Sequence, residues 1–459
     1  MKKLIKTAGV ILSLLIVLSC ISVSFASAVG EGFTYNTALG YAILTRCQTT
    51  AMGAVEIPST YNGMAVKEIG SGAFANCGNV TEVVIPSSVT KVGNSAFESC
   101  VSLEKITFEG STCEIGKSAF LYCSSLKNIE LPASLKTIPD DAFDGCTSLT
   151  SITIPSTVTL IGTEAFKMCE SLTQVDIPAS VKTIRKNAFI GCSSVSAFEV
   201  ESGNAVYRDV NGVLYGPYES SYDPEVYSAV TDKSLIQYPN GLSATSFAVP
   251  SDVKIIADYA FGENAKLTKI SLPDGLKKID AYAFYMCKNL SDVTIPSTVT
   301  EIGSQAFAKC DSLKAITIPA SVTYFESAFY DSGLEEVVIE NGVKSISVRA
   351  FENCSSLEKV TIPESVEAIY TGAFYNCSSL GETEIPSSVT TIGTRAFDGC
   401  DSLSIIAEEG SVAYDYAVSN GIEVSQGSEE EPELSIFEII INAIVGFFNA
   451  IINFFASLF

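Results

Sequence analysis

Apolar residues recur along this chain with a fixed period. An Ala-Phe pair returns thirteen times at the same place in a repeated frame, and the first six of these pairs are 23 residues apart, at Phe74, Phe97, Phe120, Phe143, Phe166 and Phe189. A fixed period of this length is typical of a solenoid, in which each coil is too small to bury its own apolar side chains and is stabilised by stacking on its neighbours. The pattern therefore predicts one elongated repeat body.

Each coil contains a short predicted strand followed by turns. From Leu103 to Phe108 apolar and polar residues alternate and β-branched residues are common, which favours a strand. Proline follows the strand in most coils, where its missing N–H does least harm. The glycine of Ile161-Gly162 or Ile302-Gly303 is expected to supply a left-handed turn. The predicted fold is a solenoid of about thirteen 23-residue coils, with one parallel β-sheet and a convex side of turns or short helices.

The repeated unit I-P-S-S-V-T-K-V-G-N-S-A-F-E-S-C-V-S-L-E-K-I, at residues 85–106, resembles the BspA-like leucine-rich repeat family of bacterial surface proteins. The resemblance covers about residues 33–424. It implies a secreted or cell-surface protein that binds other macromolecules, usually by adhesion to host matrix proteins or to other bacteria. It brings no catalytic residues.

The periodicity and its interruptions predict eight segments. These are a signal peptide (1–28), an N-terminal cap (29–56), repeats 1–6 (57–200), a Tyr-rich hairpin insertion (201–248), repeats 7–13 (249–406), a C-terminal cap (407–425), an acidic linker (426–433) and a hydrophobic amphipathic tail helix (434–459). The C-terminal cap is predicted to contain a closing helix, with Gly421 just past its end.

The beginning of the chain has the pattern of a secretory signal. Met1 to Lys6 is basic, Ala8 to Leu18 is almost wholly apolar, and small residues follow at Ala26-Ser27-Ala28. We therefore expect the protein to be exported. An alternative is a lipoprotein signal in which Cys20 is acylated.

Eleven of the 14 cysteines stand three residues after a repeat Phe, which would place one thiol at the same corner of each coil. Asn264 and Ser332 take this position in two coils, so the corner accepts several small groups that can hydrogen-bond. We expect a ladder of buried free thiols, although disulfides or a metal site are alternatives. Cys47 and Cys113 lie off the ladder and have no explanation from the sequence.

The insertion contains a candidate binding loop. Asn211-Gly212 predicts a two-residue hairpin turn, and residues 216–232 form a longer excursion rich in tyrosine and acid. Such loops on a rigid scaffold are common recognition surfaces. The alternative is that the tyrosines only pack the loop onto the coils. The candidate residues are Tyr218, Tyr222, Asp223 and Tyr227.

The tail is apolar apart from a narrow polar stripe. On a helix, Glu438, Asn442, Asn449 and Asn453 would share one side, while Ile and Phe would cover the rest. Membrane association is expected, and self-association or docking on the solenoid is the alternative. The apolar residues expected to contact the membrane are Ile436, Phe437, Phe447, Phe448, Phe454 and Phe455.

Composition narrows the possible chemistry. The 28 Lys and Arg stand against 52 Asp and Glu, giving a net charge of −24 that disfavours nucleic acid as a partner. Histidine is absent, which excludes Ser-His-Asp, Cys-His and His-metal sites. No pattern indicates a cofactor. We expect a protein that is not an enzyme.

The outward positions of the predicted strands are polar and lack aromatic rings. This pattern favours a broad contact with an extracellular protein or another cell surface, although Thr also simply suits exposed strands. A passive spacer or envelope component, anchored by the tail, is the alternative function. The candidate residues of this face are Lys105, Thr107, Thr153, Asp176, Lys269, Thr294 and Thr361.

Overall fold

The structure, a computed structural model, describes residues 32–218 and 230–425. These residues form a solenoid of parallel strands, as the 23-residue period predicts, and strand partners are one coil apart, as Gln174 and Ala197 are. The solenoid has about 16 turns. This exceeds the thirteen coils with an Ala-Phe pair because strands at both ends and in the insertion pair with the repeat strands.

The strands form two rows along the solenoid, where the sequence analysis predicts one sheet. The first row, called the sheet face below, contains the predicted strands. Its members are Met52–Glu56, Asn79–Ile85, Lys105–Phe108, Asn128–Ile129, Gln174–Ile177, Ala197–Val200, Ser246–Ala248, Lys269–Ser271, Asp292–Val293, Ala315–Ile318, Glu336–Ile339, Lys359–Thr361, Thr383–Glu384, Ser404–Ile406 and Glu423–Ser425.

The second row is made mostly of two-residue strands. In each, one side chain points out and the next points in, a pattern too short to be recognised as strand periodicity. Its members are Ala42–Cys47, Met64–Ile69, Lys91–Val92, Glu114–Ile115, Thr137–Ile138, Leu160–Ile161, Thr183–Ile184, Ile255–Ile256, Lys278–Ile279, Glu301–Ile302, Ser345–Ile346, Ala368–Ile369 and Thr391–Ile392.

The remaining elements lie at the ends and in the insertion. At the N-terminal end, Phe33–Asn36 pairs antiparallel with Ala42–Cys47, and Thr60–Tyr61 pairs antiparallel with Met64–Ile69. Arg208–Val210, Val213–Tyr218 and Val230–Gln237 belong to the insertion. Turns occupy the third side of the coils, and α1 (Val412–Asn420) is the one α-helix within the described residues. Ser411 caps its first turn and left-handed Gly421 ends it, as expected for the closing helix.

The Ala-Phe pair joins each coil to the next. Phe97 donates its N–H to the carbonyl of Ala119 at 2.8 Å, and the same bond recurs one coil further on, from Phe120 to Ala142, at 2.9 Å. The Phe rings stack in a ladder, with centroids 4.8–5.6 Å apart from Phe74 to Phe189. Backbone pairing and ring stacking therefore act at the same residue of every coil.

The cysteine ladder hydrogen-bonds to the same motif. Ten ladder thiols lie 3.1–3.3 Å from the carbonyl oxygen of the Phe one coil earlier, as Cys146 does from Phe120. All eleven ladder thiols are free, and all but Cys400 are buried. For the ten thiols bonded to a Phe carbonyl, this geometry agrees with the packing interpretation of the ladder. Burial also raises the pKa of Cys192 to about 12, so this thiol stays protonated and available as a donor.

The two substituted ladder positions replace the thiol by different bonds. Asn264 accepts the backbone N–H groups of Lys266 and Leu267 at 3.0 and 2.8 Å, and its amide donates to Asn240. Ser332 lies 3.3 Å from the sulfur of Cys354. The corner therefore requires a small group that can hydrogen-bond, as the sequence analysis predicts.

The prediction that Gly162 and Gly303 adopt a left-handed conformation is wrong. Gly162 and Gly303 have no positive φ; they are glycines because neighbouring coils approach too closely for a side chain. A Cβ at Gly303 would lie 2.3 Å from the backbone nitrogen of Ala281. The left-handed residues instead lie two positions before and two after the Phe, as Ser95 and Ser99 do on either side of Phe97.

The insertion forms a joint between two hydrophobic cores. Asn211-Gly212 makes the predicted hairpin turn, with φ of 53° and 79°. The following strand alternates between the cores: Leu214 packs into the N-terminal one, whereas Val213 and Tyr215 pack into the C-terminal one. The insertion is thus built into the solenoid.

A buried ion pair also crosses this joint. The ammonium of Lys186, in coil six, contacts the carboxylate of Asp258, in coil seven. Asp280, one coil further on, is buried beside Asp258, and its Oδ2 has no hydrogen-bond partner. Burial, and secondarily the charge of Asp258, raises the pKa of Asp280 from 3.8 to about 6.

We predict that Gly303→Ala lowers the free energy of unfolding by about 1–3 kcal/mol, because the new Cβ forces adjacent coils apart. Gly381→Ala is the matched control, since a Cβ there meets nothing closer than 3.5 Å. Urea unfolding of both variants measures the difference. Equal midpoints for the two variants would contradict the close-approach explanation.

We predict that Asp280→Asn stabilises the protein at pH 7, by up to about 3 kcal/mol. A carboxyl whose pKa is raised on folding destabilises the native state progressively as pH rises from 3.8 to about 6. The gain in stability should therefore vanish below pH 4. The substitution also removes the contact of Asp280 with Lys278, but Lys278 keeps its closer partner Glu301 at 2.8 Å. Thermal unfolding against pH is the measurement, with exposed Asp311→Asn as control. A variant less stable than wild type at pH 7 would refute the prediction.

Candidate interaction surfaces

The structure places the seven predicted face residues on the outer side of the first strand row. Thr107 is half-buried, and the other six, Lys105, Thr153, Asp176, Lys269, Thr294 and Thr361, are exposed. They are spread along the solenoid. Among them, Thr153 and Asp176 lie on adjacent coils and line the same surface depression.

Some hydroxyl groups on this face bond to the neighbouring coil and others do not. Hydroxyls three positions before Thr153, Asp176 and Glu199 donate to a backbone carbonyl one coil earlier, at 3.1–3.4 Å; they belong to Thr150, Thr173 and Ser196. For Thr153, no side-chain hydrogen bond is seen within the described parts of the chain, and the same holds for Thr294 and Thr361. The hydroxyls that support the sheet are therefore not those of the candidate residues.

The depression beside the insertion has an apolar floor and an acidic rim. Its volume is about 320 Å³. Asp176 lies directly opposite Glu199 in the sheet, and Gln174 donates to Asp176 at 2.6 Å. For Asp176 and Glu199 no ion pair is seen among residues 32–218 and 230–425. The lining residues are Thr153, Ile154, Asp176, Ile177, Pro178, Glu199, Val200 and Glu201.

Charges elsewhere between coils are usually complementary. Lys127 contacts Glu104 at 2.7 Å, and Lys269, a predicted face residue, contacts Asp292 at 2.7 Å. A second depression of about 340 Å³ includes Thr294, and Glu336 at its edge is paired with Lys359 at 3.1 Å. The unpaired acids at Asp176 and Glu199 therefore distinguish the first depression.

An irregular coil opens a larger cavity on the other strand row. Coil three has Glu109 where most coils have Pro, and its Cys113 turns inward and is buried while Thr112 is exposed. A cavity of about 620 Å³ results, with Lys91 and Lys136 among its lining residues. This inward turn explains the off-ladder position of Cys113, which the sequence leaves open.

Three tyrosines that the sequence analysis overlooks meet on the turn side. The rings of Tyr259 and Tyr282 stack with centroids 4.6 Å apart, and Tyr285 lies edge-on to both. Burial raises the pKa of Tyr259. The 23-residue spacing of Tyr259 and Tyr282 is the signal that would have predicted their contact.

One acidic cluster has carboxylates close enough to share a cation. Ligand atoms of Asp141, Asp144 and Glu164 lie within 4.8 Å of one another. However, Lys167 extends between them, 2.7 Å from Glu164 and 3.7 Å from Asp144. Burial raises the pKa of Asp144 to about 6, and Lys167 opposes this shift. A protein cation therefore already pairs with two of the three carboxylates.

Several predicted residues lie outside the described parts of the chain. Tyr218 ends its strand opposite Val230, whereas the rest of the candidate loop is not described. Within the described residues, no helix combines the length and the hydropathy needed to cross a membrane. The predictions that fall outside are the signal peptide, Cys20, Tyr222, Asp223, Tyr227, the acidic linker and the tail with Ile436, Phe437, Phe447, Phe448, Phe454 and Phe455.

Known structures share this architecture. A leucine-rich cell surface protein from Faecalibacterium prausnitzii is 28% identical, with 86% of this chain and 97% of that chain covered and a TM-score of 0.55. The pneumococcal vaccine antigen PcpA is 22% identical over 86% and 96% of the two chains, with a TM-score of 0.62, and shows the same fold. A leucine-rich repeat protein from Eubacterium ventriosum is 24% identical over 81% and 93%, with a TM-score of 0.55. No curated protein matches the chain.

The repeats also match a family model over most of the solenoid. Six copies of the BspA type leucine rich repeat region cover residues 67–196, 237–329 and 325–419. These ranges contain the Phe ladder, the cysteine ladder and most strands of both rows. The chain belongs to the BspA-type leucine-rich repeat family.

Proposed function

We propose that this protein is exported to the cell surface and binds another extracellular protein through the sheet face beside the insertion. The family and its structural neighbours are bacterial cell-surface proteins, a class consistent with protein–protein interaction. Adhesion to host matrix proteins or to other cells is the specific form that we propose. Solenoids of this family are typically not enzymes.

The observation that carries the proposal is the like-charged pair Asp176 and Glu199. Opposed like charges on neighbouring strands destabilise a sheet, and most other charges between these coils are compensated. A local conflict of this kind is typical of a functional site, where stability is given up for binding. The proposal is that a partner supplies the missing positive charge.

The shape of the depression indicates which partner group fits. A Lys or Arg side chain could lay its aliphatic stem on Val200 and the exposed edge of Ile154, with its charged end between the two carboxylates. Arg suits the paired acids best, because its guanidinium can bond to two carboxylates at once. The proposed partner is therefore a protein that presents a basic side chain from an exposed surface.

The insertion loop is the second proposed contact. Residues 219–229 connect Tyr218 to Val230, whose backbones are paired, so both ends of this segment are fixed on a rigid body. A loop held in this way can carry recognition residues without a change in the coils. Tyr222, Asp223 and Tyr227 remain the candidate residues of this loop.

We predict that Glu199→Gln stabilises the free protein by about 0.2–1 kcal/mol, because it removes repulsion from Asp176. Glu104→Gln is the matched control, and it should be neutral or slightly destabilising because Glu104 is paired with Lys127. Thermal unfolding at low and high salt is the measurement, and the gain should shrink with salt. Destabilisation by Glu199→Gln would indicate that a protein cation already compensates this site.

We predict that Asp176→Asn with Glu199→Gln weakens binding to extracellular matrix proteins or whole cells by at least about tenfold, through loss of the charge-assisted contact. The experiment immobilises a panel of purified matrix proteins and compares wild type, the double variant and a Glu104→Gln, Glu384→Gln control. A further variant replaces residues 219–229 by a short Gly-Ser turn, which leaves the paired strand ends intact. No binding by wild type to any matrix protein or cell would support a passive spacer, and equal binding by all variants would place the contact elsewhere.

A further inference from the structure

The first rung of the cysteine ladder differs from all the others. The other ten thiols donate to the carbonyl of a Phe one coil earlier, but no coil with such a Phe precedes Cys77. The sulfur of Cys77 lies instead 3.9 Å from the carbonyl oxygen of Cys47 and 3.6 Å from that of Gln48. Cys47, the second off-ladder cysteine, is therefore the neighbour of the first ladder position.

The two thiols lie beside the same carbonyl oxygen, that of Gln48, at the junction of the N-terminal strands and coil one. Cys47 ends the strand Ala42–Cys47, and its N–H donates to the carbonyl of Ala73 at 2.6 Å, which fixes its backbone beside coil one. Its sulfur lies 3.6 Å from the same Gln48 oxygen that Cys77 approaches. Both sulfurs therefore converge on one carbonyl oxygen, and both residues are buried.

We propose that Cys47 and Cys77 form a disulfide bond that fastens the N-terminal cap to the first coil. In this structure both thiols are free. A disulfide requires two cysteines whose side chains lie close together, and the sulfurs of this pair lie 3.6 Å from the same carbonyl oxygen. The proposal does not depend on the proposed function.

The neighbouring rungs show why the bond is specific to this pair. Cys146 and Cys169 are also one coil apart, but each thiol is directed at its own Phe carbonyl, at 3.2 and 3.3 Å. Burial raises the pKa of both, which suppresses the reactive thiolate. At the first rung neither thiol is directed at a Phe carbonyl, and the two sulfurs share the Gln48 oxygen at a longer 3.6 Å.

The proposed chemistry is thiol–disulfide exchange with an external disulfide, either a small molecule or a disulfide oxidoreductase. The Cys77 thiolate attacks one external sulfur and releases one external thiol. The Cys47 thiolate then attacks the Cys77 sulfur and releases the second. The two cysteines are thus oxidised and the external disulfide is reduced by two electrons. The two hydrogens lost from the cysteine thiols appear on the two released thiols. Because both residues are buried after folding, exchange precedes closure of the cap.

The bond would stabilise a part of the solenoid that has coils on only one side. Terminal units of repeat proteins lack one stacking partner and open first. Cys47 and Cys77 are 30 positions apart, so the bond removes substantial freedom from the unfolded chain. The expected effect is resistance of the N-terminal cap to local opening.

Peptide mapping tests the bond directly. The full chain is refolded with oxidised and reduced glutathione, alkylated and digested with trypsin without reduction. Cleavage after Arg46, Lys67 and Lys91 should leave peptides 47–67 and 68–91 joined, while the cysteines from Cys100 to Cys400 are alkylated. Alkylation of both Cys47 and Cys77, or cross-links scattered along the ladder, would overturn the proposal.

Two variants separate the bond from simple packing. Cys47→Ser removes the bond, and Cys113→Ser is the matched control because Cys113 is also buried, off the ladder and near the carbonyl of its own following residue. Reduction should lower the melting temperature of oxidised wild type and Cys113→Ser by about 2 °C or more, and leave Cys47→Ser unchanged. An equal shift in Cys47→Ser, or none in wild type, would count against the bond.

Discussion

The contact on which the structure depends is the one between the Phe of each coil and the coils on either side. Its N–H bonds to the Ala carbonyl of the next coil, its ring stacks in the ladder, and its own carbonyl accepts the thiol of the next coil's Cys. All of these bonds join different coils, so a single coil has little stability alone. The same contact holds the 23-residue register, because a slip of one residue would break the backbone bond, the stacking and the thiol bond together.

Departures from this register occur where another group can take over its role. At the insertion, Tyr238 stacks on Phe261 with centroids 5.1 Å apart and so continues the ladder. Coil ten lacks a residue before its Ala-Phe pair, and Phe325 fills the core there. In coil three Cys113 turns inward and leaves a cavity beside it. The solenoid thus changes its surface while its core contacts continue.

Much of the fold could be predicted because the repeat shows the same signal many times. The period, the hairpin at Asn211-Gly212 and the closing helix follow from local sequence. The second strand row could not be predicted from the sequence, because most of its strands are only two residues long and two residues cannot show a periodic pattern. The sequence around Gly162 would look the same whether glycine is needed for a left-handed turn or because the next coil leaves no room for a side chain. Only the distance between coils in the structure distinguishes the two reasons. The sequence does not single out Glu199, because its role in the proposed binding site depends on the like charge of Asp176 directly opposite it in the sheet.

We propose that the sheet face around Asp176 and Glu199 binds a basic protein surface. Amide hydrogen exchange of the protein, free and bound to the matrix or cell-surface protein that it captures, tests this most directly. We predict that binding slows amide exchange in the strands Gln174–Ile177 and Ala197–Val200 and leaves it unchanged in the second-row strands Leu160–Ile161 and Thr183–Ile184 of neighbouring coils. Protection confined to the second row or to the turn side, with the sheet face unchanged, would contradict it.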